Sequence, residues 1–160
     1  MTEVYAFIWE YEAFRNAEPA MVCMADCDDV FYCVVDTRAW LRDPAPLFRT
    51  NVEGLRHVLD AAVDADPRRF VFTSTIGTIG VPAVRRPATE ADQFNLADKG
   101  GAYIRSRVDA EDLVMRYAQD RGLPATCTVD VIMTAFCQID SRLSIRYGPG
   151  WDLAAGPGRD

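Results

Sequence analysis

Histidine is almost missing from this sequence. His57 is the only one. A metal centre built on imidazoles, or a Ser-His-Asp triad, would rest on that single side chain, and both are set aside. Basic residues are also short, with 17 Lys and Arg against 24 Asp and Glu and a net charge of −7. The chain has no cationic surplus for phosphate backbones or acidic lipid, so neither nucleic acid nor a membrane is expected as a partner. No apolar run reaches membrane-spanning length. The N-terminus carries acids instead of a basic stretch leading into an apolar one, so a secretion signal is not expected. The cysteines are odd in number and irregular in spacing, at Cys23, Cys27, Cys33, Cys127 and Cys137. That is neither a disulfide framework nor a zinc pattern. They read as reduced, mostly buried thiols of a cytoplasmic protein. Glycine is absent before Gly54.

What remains is ordinary globular material. The chain has 160 residues, 49% of them hydrophobic and 26% charged, enough for one domain with a core. "VFYCVVD" (Val30 to Asp36) is a continuous apolar run, as in a strand buried on both faces of a parallel sheet. Leu47, Phe48, Val52, Leu55, Leu59, Ala62 and Val63 recur at helical spacing, with Pro46 in the first turn and Pro67 as the stop. "FVFTST" (Phe70 to Thr75) is a second strand. A helix follows from about Ala102 to Arg121, ended by Gly122 and Pro124. "TCTVDVIM" (Thr126 to Met133) is a third strand. Alternating strands and helices imply right-handed crossovers and an α/β fold with a parallel sheet. "TEVYAFIWEYEAF" reads equally as strand or short helix, and "WDLAAGPGRD" reads as loop. Asp60 and Asp64 read as a solvated helix face, and His57 as a plain helix residue.

The motifs "DDVFYCVV", "NVEGLRHVLDAA", "RRFVFTSTIGTIG", "PATEAD", "YIRSR" and "GLP" follow one another between Ala25 and Pro124. In that order they resemble the extended short-chain dehydrogenases/reductases. These are the NAD-dependent epimerases and dehydratases, with the 3β-hydroxysteroid dehydrogenases and dihydroflavonol-reductase-like enzymes. "VFTSTIGTIG" is most similar to the last two branches. The resemblance implies NAD or NADP as cofactor, hydride transfer, an unidentified small-molecule substrate, and room for a homo-oligomer. Tyr103 matches the family's general acid/base on the substrate oxygen. Thr75 matches the hydroxyl that hydrogen-bonds the same oxygen, where members usually have Ser. Arg107 stands where the family has a lysine that acts on the tyrosine and holds the nicotinamide ribose. Cys33, Val34, Val35 and Asn51 match residues of the cofactor cleft.

The spacing suits that chemistry. Residues i and i+4 share a helix face, and a cation beside a phenol favours the phenolate. Arginine keeps the charge, but its planar fork differs from an ammonium and it stays protonated, so ribose contacts and proton relay are in question. From the helix alone, Tyr103 reads more simply as an interfacial aromatic and Arg105 and Arg107 as solvated charges. Asn51 reads as well as a helix-surface amide.

Two departures stand out. The family's glycine turn, which brings backbone against the pyrophosphate, needs glycines that this chain does not have before Gly54. "YGPG" (Tyr147 to Gly150) comes late, after an unmatched "CQIDSRLSI". The expectation is therefore a partial Rossmann-like, doubly wound sheet with an incomplete N-terminal half. Residues 1–24 are unassigned, 25–133 form the partial NAD(P)-binding domain and 134–160 an irregular tail. "EVYAFIW" is expected to cover the sheet edge that the absent strands would leave open. The alternative function is a truncated, inactive relative that acts at most as an interaction module.

Overall fold

The computed structural model describes residues 4–8, 24–89, 91–129 and 144–147. Its strands are β1 (Val4–Ile8), β2 (Asp29–Tyr32), β3 (Arg69–Ser74), β4 (Ala125–Val129) and β5 (Ser144–Tyr147). They form one sheet in the order β4-β3-β2-β1-β5. Every pair is parallel, with Val30 opposite Phe70, Phe72 opposite Cys127 and Ala6 opposite Val30. The expected α/β fold with a Rossmann-like parallel sheet is present.

Each strand has a local cause. All four residues of β2 are buried, as its apolar run required. β2 stops at Tyr32, earlier than the run to Asp36 suggested. Further on, both backbone polar groups of Asp36 are bonded by the Asn51 side chain instead of a neighbouring strand. At the other end of β2, buried Asp29 accepts from Arg68 Nε at 3.1 Å and Nη2 at 2.9 Å, tying the starts of β2 and β3 together. β4 begins one residue before the expected Thr126, and residues 130–133 lie outside the described residues.

The N-terminal stretch covers the edge of β2 as anticipated, because β1 pairs with β2 along Tyr5–Ile8. β5 then pairs with the other edge of β1. It lies within the stretch expected to be irregular. A parallel edge with unpaired N–H and C=O groups is a template for one more strand, and a short one suffices.

One helical layer covers the face carrying Val30, Tyr32, Phe70 and Phe72. It comprises α1 (Ala45–Phe48), a π-helical turn (Arg49–Gly54), α2 (Leu55–Ala65) and α3 (Gly101–Arg121). Leu55, Val58, Leu59 and Ala62 from α2, with Ala110, Leu113 and Val114 from α3, complete the core. Tyr32 stacks between Phe70 and Phe72, with ring centroids 6.3 and 6.0 Å away. Phe70 and Phe72 are fully buried, and each such ring contributes roughly 1.5–3 kcal/mol. α3 ends at Gly122, whose φ of 70° is the left-handed cap a side chain would resist. Among the described residues no helix is long and apolar enough to cross a membrane.

Ala6 pairs with Val30 on one side and Arg146 on the other. Ala6→Pro removes an N–H from a strand paired at both edges, so it should cost about 1–3 kcal/mol, the cost of an orphaned ladder partner. A lower urea midpoint is the expected result. An unchanged midpoint would show that β1 contributes nothing to the sheet.

Candidate active site

A parallel sheet gathers its loops at the carboxyl ends of its strands, and ligands of open α/β folds bind there. Thr75 sits at that end, directly after β3. It opens a single 3₁₀ turn over Ile76–Thr78. Its Oγ1 accepts from Gly77 N at 3.4 Å, and its carbonyl accepts from Thr78 Oγ1 at 2.8 Å. Accepting a backbone N–H leaves the Thr75 hydroxyl proton free to donate elsewhere.

Tyr103 lies in the first turn of α3 and is half-buried. The two turns pack through a glycine. A β-carbon on Gly77 would collide with Ile104 Cδ1, so the bare backbone of the Thr75 turn rests on the residue next to Tyr103. Gly100 is similarly tight, with a β-carbon there falling 2.9 Å from Ile104 Cβ. Thr75 and Tyr103, paired only by resemblance in the sequence, therefore sit on contacting turns.

The other matched positions divide. Cys33 is half-buried, with Sγ 3.4 Å from Thr73 Oγ1. Val34 is buried and Val35 is exposed. Asn51 is wholly buried, so it is not a helix-surface amide. Its Oδ1 accepts from Asp36 N at 2.7 Å, and its Nδ2 donates to Asp36 O at 3.0 Å and to Ser106 Oγ at 2.9 Å. The π-helical turn that includes Asn51 inserts an extra residue into the helix, and such turns mark functional positions.

Arg107 is the departure that matters most. It is 2% exposed, not the solvated charge of the simpler reading. Arg105, two residues earlier, is exposed. The Arg107 Nη2 donates to Thr73 O, and the guanidinium carbon lies 4.8 Å from the Phe72 ring centroid. Nε and Nη1 are buried with no hydrogen-bond partner. Burial pushes its pKa below the usual arginine value, with the Tyr103 phenol first among the neighbours that act against this. Nearby, Glu111 accepts from the Ser74 hydroxyl. Burial, then Glu111, pushes the Cys127 thiol up to about 12. The guanidinium is thus turned into the core.

Sequence reasoning passes over Asp36, Asp92, Asn95 and Ser106. Asp92 closes the loop between β3 and α3. It pairs with Arg86, and its Oδ2 accepts from Thr89 N at 2.8 Å. Asn95 pins the same loop to both backbone groups of Val81, at 3.0 and 2.8 Å. The Arg86 guanidinium holds the Asp92 carboxyl well below the usual carboxylate range. The one signal for it is its place in "PATEAD".

Arg107 is a buried charge with two unmet donors. Arg107→Met removes that burden and loses one bond to Thr73 O. It should fold and raise the unfolding free energy by about 1–3 kcal/mol for the relieved donors, read as a higher urea midpoint. A fall of that size would mean that the Thr73 and Phe72 contacts dominate.

Comparison with known proteins agrees with this fold. The family model of the NAD dependent epimerase/dehydratase family matches residues 15–129. The dihydroflavonol 4-reductase of Hordeum vulgare is 29% identical over 109 residues, covering 62% of this chain and 31% of that protein. This chain spans about a third of the length of the curated relatives it matches. Among solved structures, a dTDP-glucose 4,6-dehydratase of Streptomyces venezuelae with NAD bound superposes with a TM-score of 0.63 at 20% identity, over 72% of this chain and 35% of that one. RMD from Pseudomonas aeruginosa, complexed with NADPH, gives 0.56 at 16% identity, over 77% and 53%. With most of its length matched by the family model on a parallel α/β sheet, this chain belongs to the NAD dependent epimerase/dehydratase family.

Proposed function

We propose that this chain carries the proton-handling part of a nicotinamide-dependent oxidoreductase or epimerase site, acting at a hydroxyl or carbonyl carbon. The contact between the Thr75 turn and the Tyr103 turn, closed through Gly77 and Ile104, carries this reading. It puts a free hydroxyl donor and a half-buried phenol on adjoining turns at the ligand-binding edge of a parallel sheet. Thr75 donates to the substrate oxygen. Tyr103 takes the proton from that oxygen on oxidation and returns it on reduction. A bound nicotinamide supplies the hydride acceptor or donor.

The residues fit such a cofactor at its nicotinamide end. Thr75 and Tyr103 flank the position, and Cys33, Val34 and Val35 form the adjoining wall at the end of β2. Asn51 serves that wall from behind, because its amide is engaged with the Asp36 backbone. Arg107 supports the site electrostatically, from within the core. Relatives in the fold hold NAD in one case and NADPH in the other, so either nucleotide suits the reading.

One observation favours a second reading, a relative that folds without binding the nucleotide: Arg107 is turned inward.

Calorimetric titration of the chain with NADH and NADPH separates the two. The expected result is micromolar binding of at least one, retained in Tyr103→Phe. NADPH or NADH consumption across a panel of aldehydes and ketones should fall about 10²-fold or more in that variant. No heat with either nucleotide, from protein shown to be folded, would replace this proposal with the second reading.

A further inference from the structure

α3 begins poorly. It starts after Gly100, which offers no side-chain cap, and Gly101 has a φ of +65°. Uncapped first turns fray, because their N–H groups have no intrahelical partner. Yet this first turn carries Tyr103. Something beside the helix has to hold it.

Ser106 supplies that hold. It is wholly buried, and its hydroxyl is used in both directions. Oγ donates to Tyr103 O at 2.8 Å and accepts from Asn51 Nδ2 at 2.9 Å. The other bonds of the Asn51 amide grip the Asp36 peptide from both sides, at 2.7 and 3.0 Å. Asp36 is fixed in turn. Its carboxylate accepts the Arg38 fork at 2.9 and 2.6 Å and Arg38 N at 3.0 Å, which lowers its pKa. An unbroken line of hydrogen bonds runs from the segment after β2, through Asn51 and Ser106, to the carbonyl of Tyr103.

We infer that Ser106 is a positioning residue for Tyr103, joining the first turn of α3 through Asn51 to the Cys33–Asp36 segment. The inference rests on the reading of Tyr103 as the proton-handling group. The line spans the two walls of the proposed site. Cys33, Val34 and Val35 immediately precede Asp36, so the Asn51–Ser106 strut sets the spacing between them and Tyr103. A hydroxyl serves here because one small group must accept from an amide and donate to a carbonyl. Alanine does neither, whereas threonine keeps both.

The test uses the full chain labelled with ¹³C at the tyrosine ring carbon bearing the hydroxyl. The Tyr103 signal is identified by its loss in Tyr103→Phe. In Ser106→Ala the Tyr103 signal should shift or split. Amide exchange at residues 104–107, whose N–H groups donate to the carbonyls of 100–103, should speed up about tenfold, since the turn opens locally. Ser106→Thr should restore both. Should Ser106→Ala not fold, Ser106→Cys stands in, and the same two readings decide. A folded variant whose Tyr103 signal and first-turn exchange match the parent overturns the inference, even if its melting temperature is lower. Neither reading needs nucleotide. A chain that gives no heat with NADH or NADPH but responds to Ser106→Ala therefore loses the proposed reaction and keeps the strut. A chain that binds nucleotide and ignores the substitution keeps the reaction and loses the strut.

Discussion

A parallel strand has no local partner, so β2 exists only because chain from elsewhere arrives at both of its edges. β3 reaches one edge after the α1–α2 crossover, and β1 occupies the other. The Asp29–Arg68 pair fixes the starting ends of β2 and β3. With those ends aligned, both strands finish at the same edge of the sheet, and the segments leaving them lie side by side. Cys33 to Asp36 leaves one strand and Thr75 leaves the next. The candidate site is a consequence of that alignment.

Polar groups behind the site are treated in two opposite ways. Around Asn51 every donor and acceptor on the line has a partner, and the side-chain amide stands in for a missing strand. Around Arg107 a cation is buried with two donors unmet. Fully satisfied networks rigidify, and partly satisfied ones store cost. The Asn51–Ser106 line therefore reads as the rigid frame of the site, and Arg107 as the feature the fold carries at a loss. Its compensations are the Thr73 carbonyl and the Phe72 ring face.

The parts legible in the sequence are those with a period or a stop. β3 shows as an apolar run, and α3 is bounded by Gly122 and Pro124. The end of β2 is not legible, because Cys33 to Val35 continue the apolar run after the ladder has ended. A side chain 15 residues further on replaces the ladder at Asp36, and no local pattern reports that. β5 is only four residues long and owes its existence to the free edge of β1. Ser106 is hidden for the same kind of reason. A small polar residue in an amphipathic helix looks like surface until the helix meets a neighbour that needs its hydroxyl. Tyr103 and Thr75 are singled out only through the order of surrounding motifs, and the packing of Gly77 against Ile104 that brings their turns together has no signature at all.

Arginine in place of lysine separates two tasks that one ammonium performs together. Holding a ribose requires contact at hydrogen-bond distance, whereas the Arg107 guanidinium contacts Thr73 O and the Phe72 ring. Stabilising negative charge on a nearby oxygen requires only a field, and a charge with little water around it is screened less than one at the surface. Burial lowers the Arg107 pKa, and the Tyr103 phenol is first among the neighbours that act against this. On the proposed function, the proton-handling chemistry and the grip on the nucleotide, joined at one residue in the family pattern, become separate tasks. The turns that carry Thr75 and Tyr103, in contact through Gly77 and Ile104, serve the first of them on that reading.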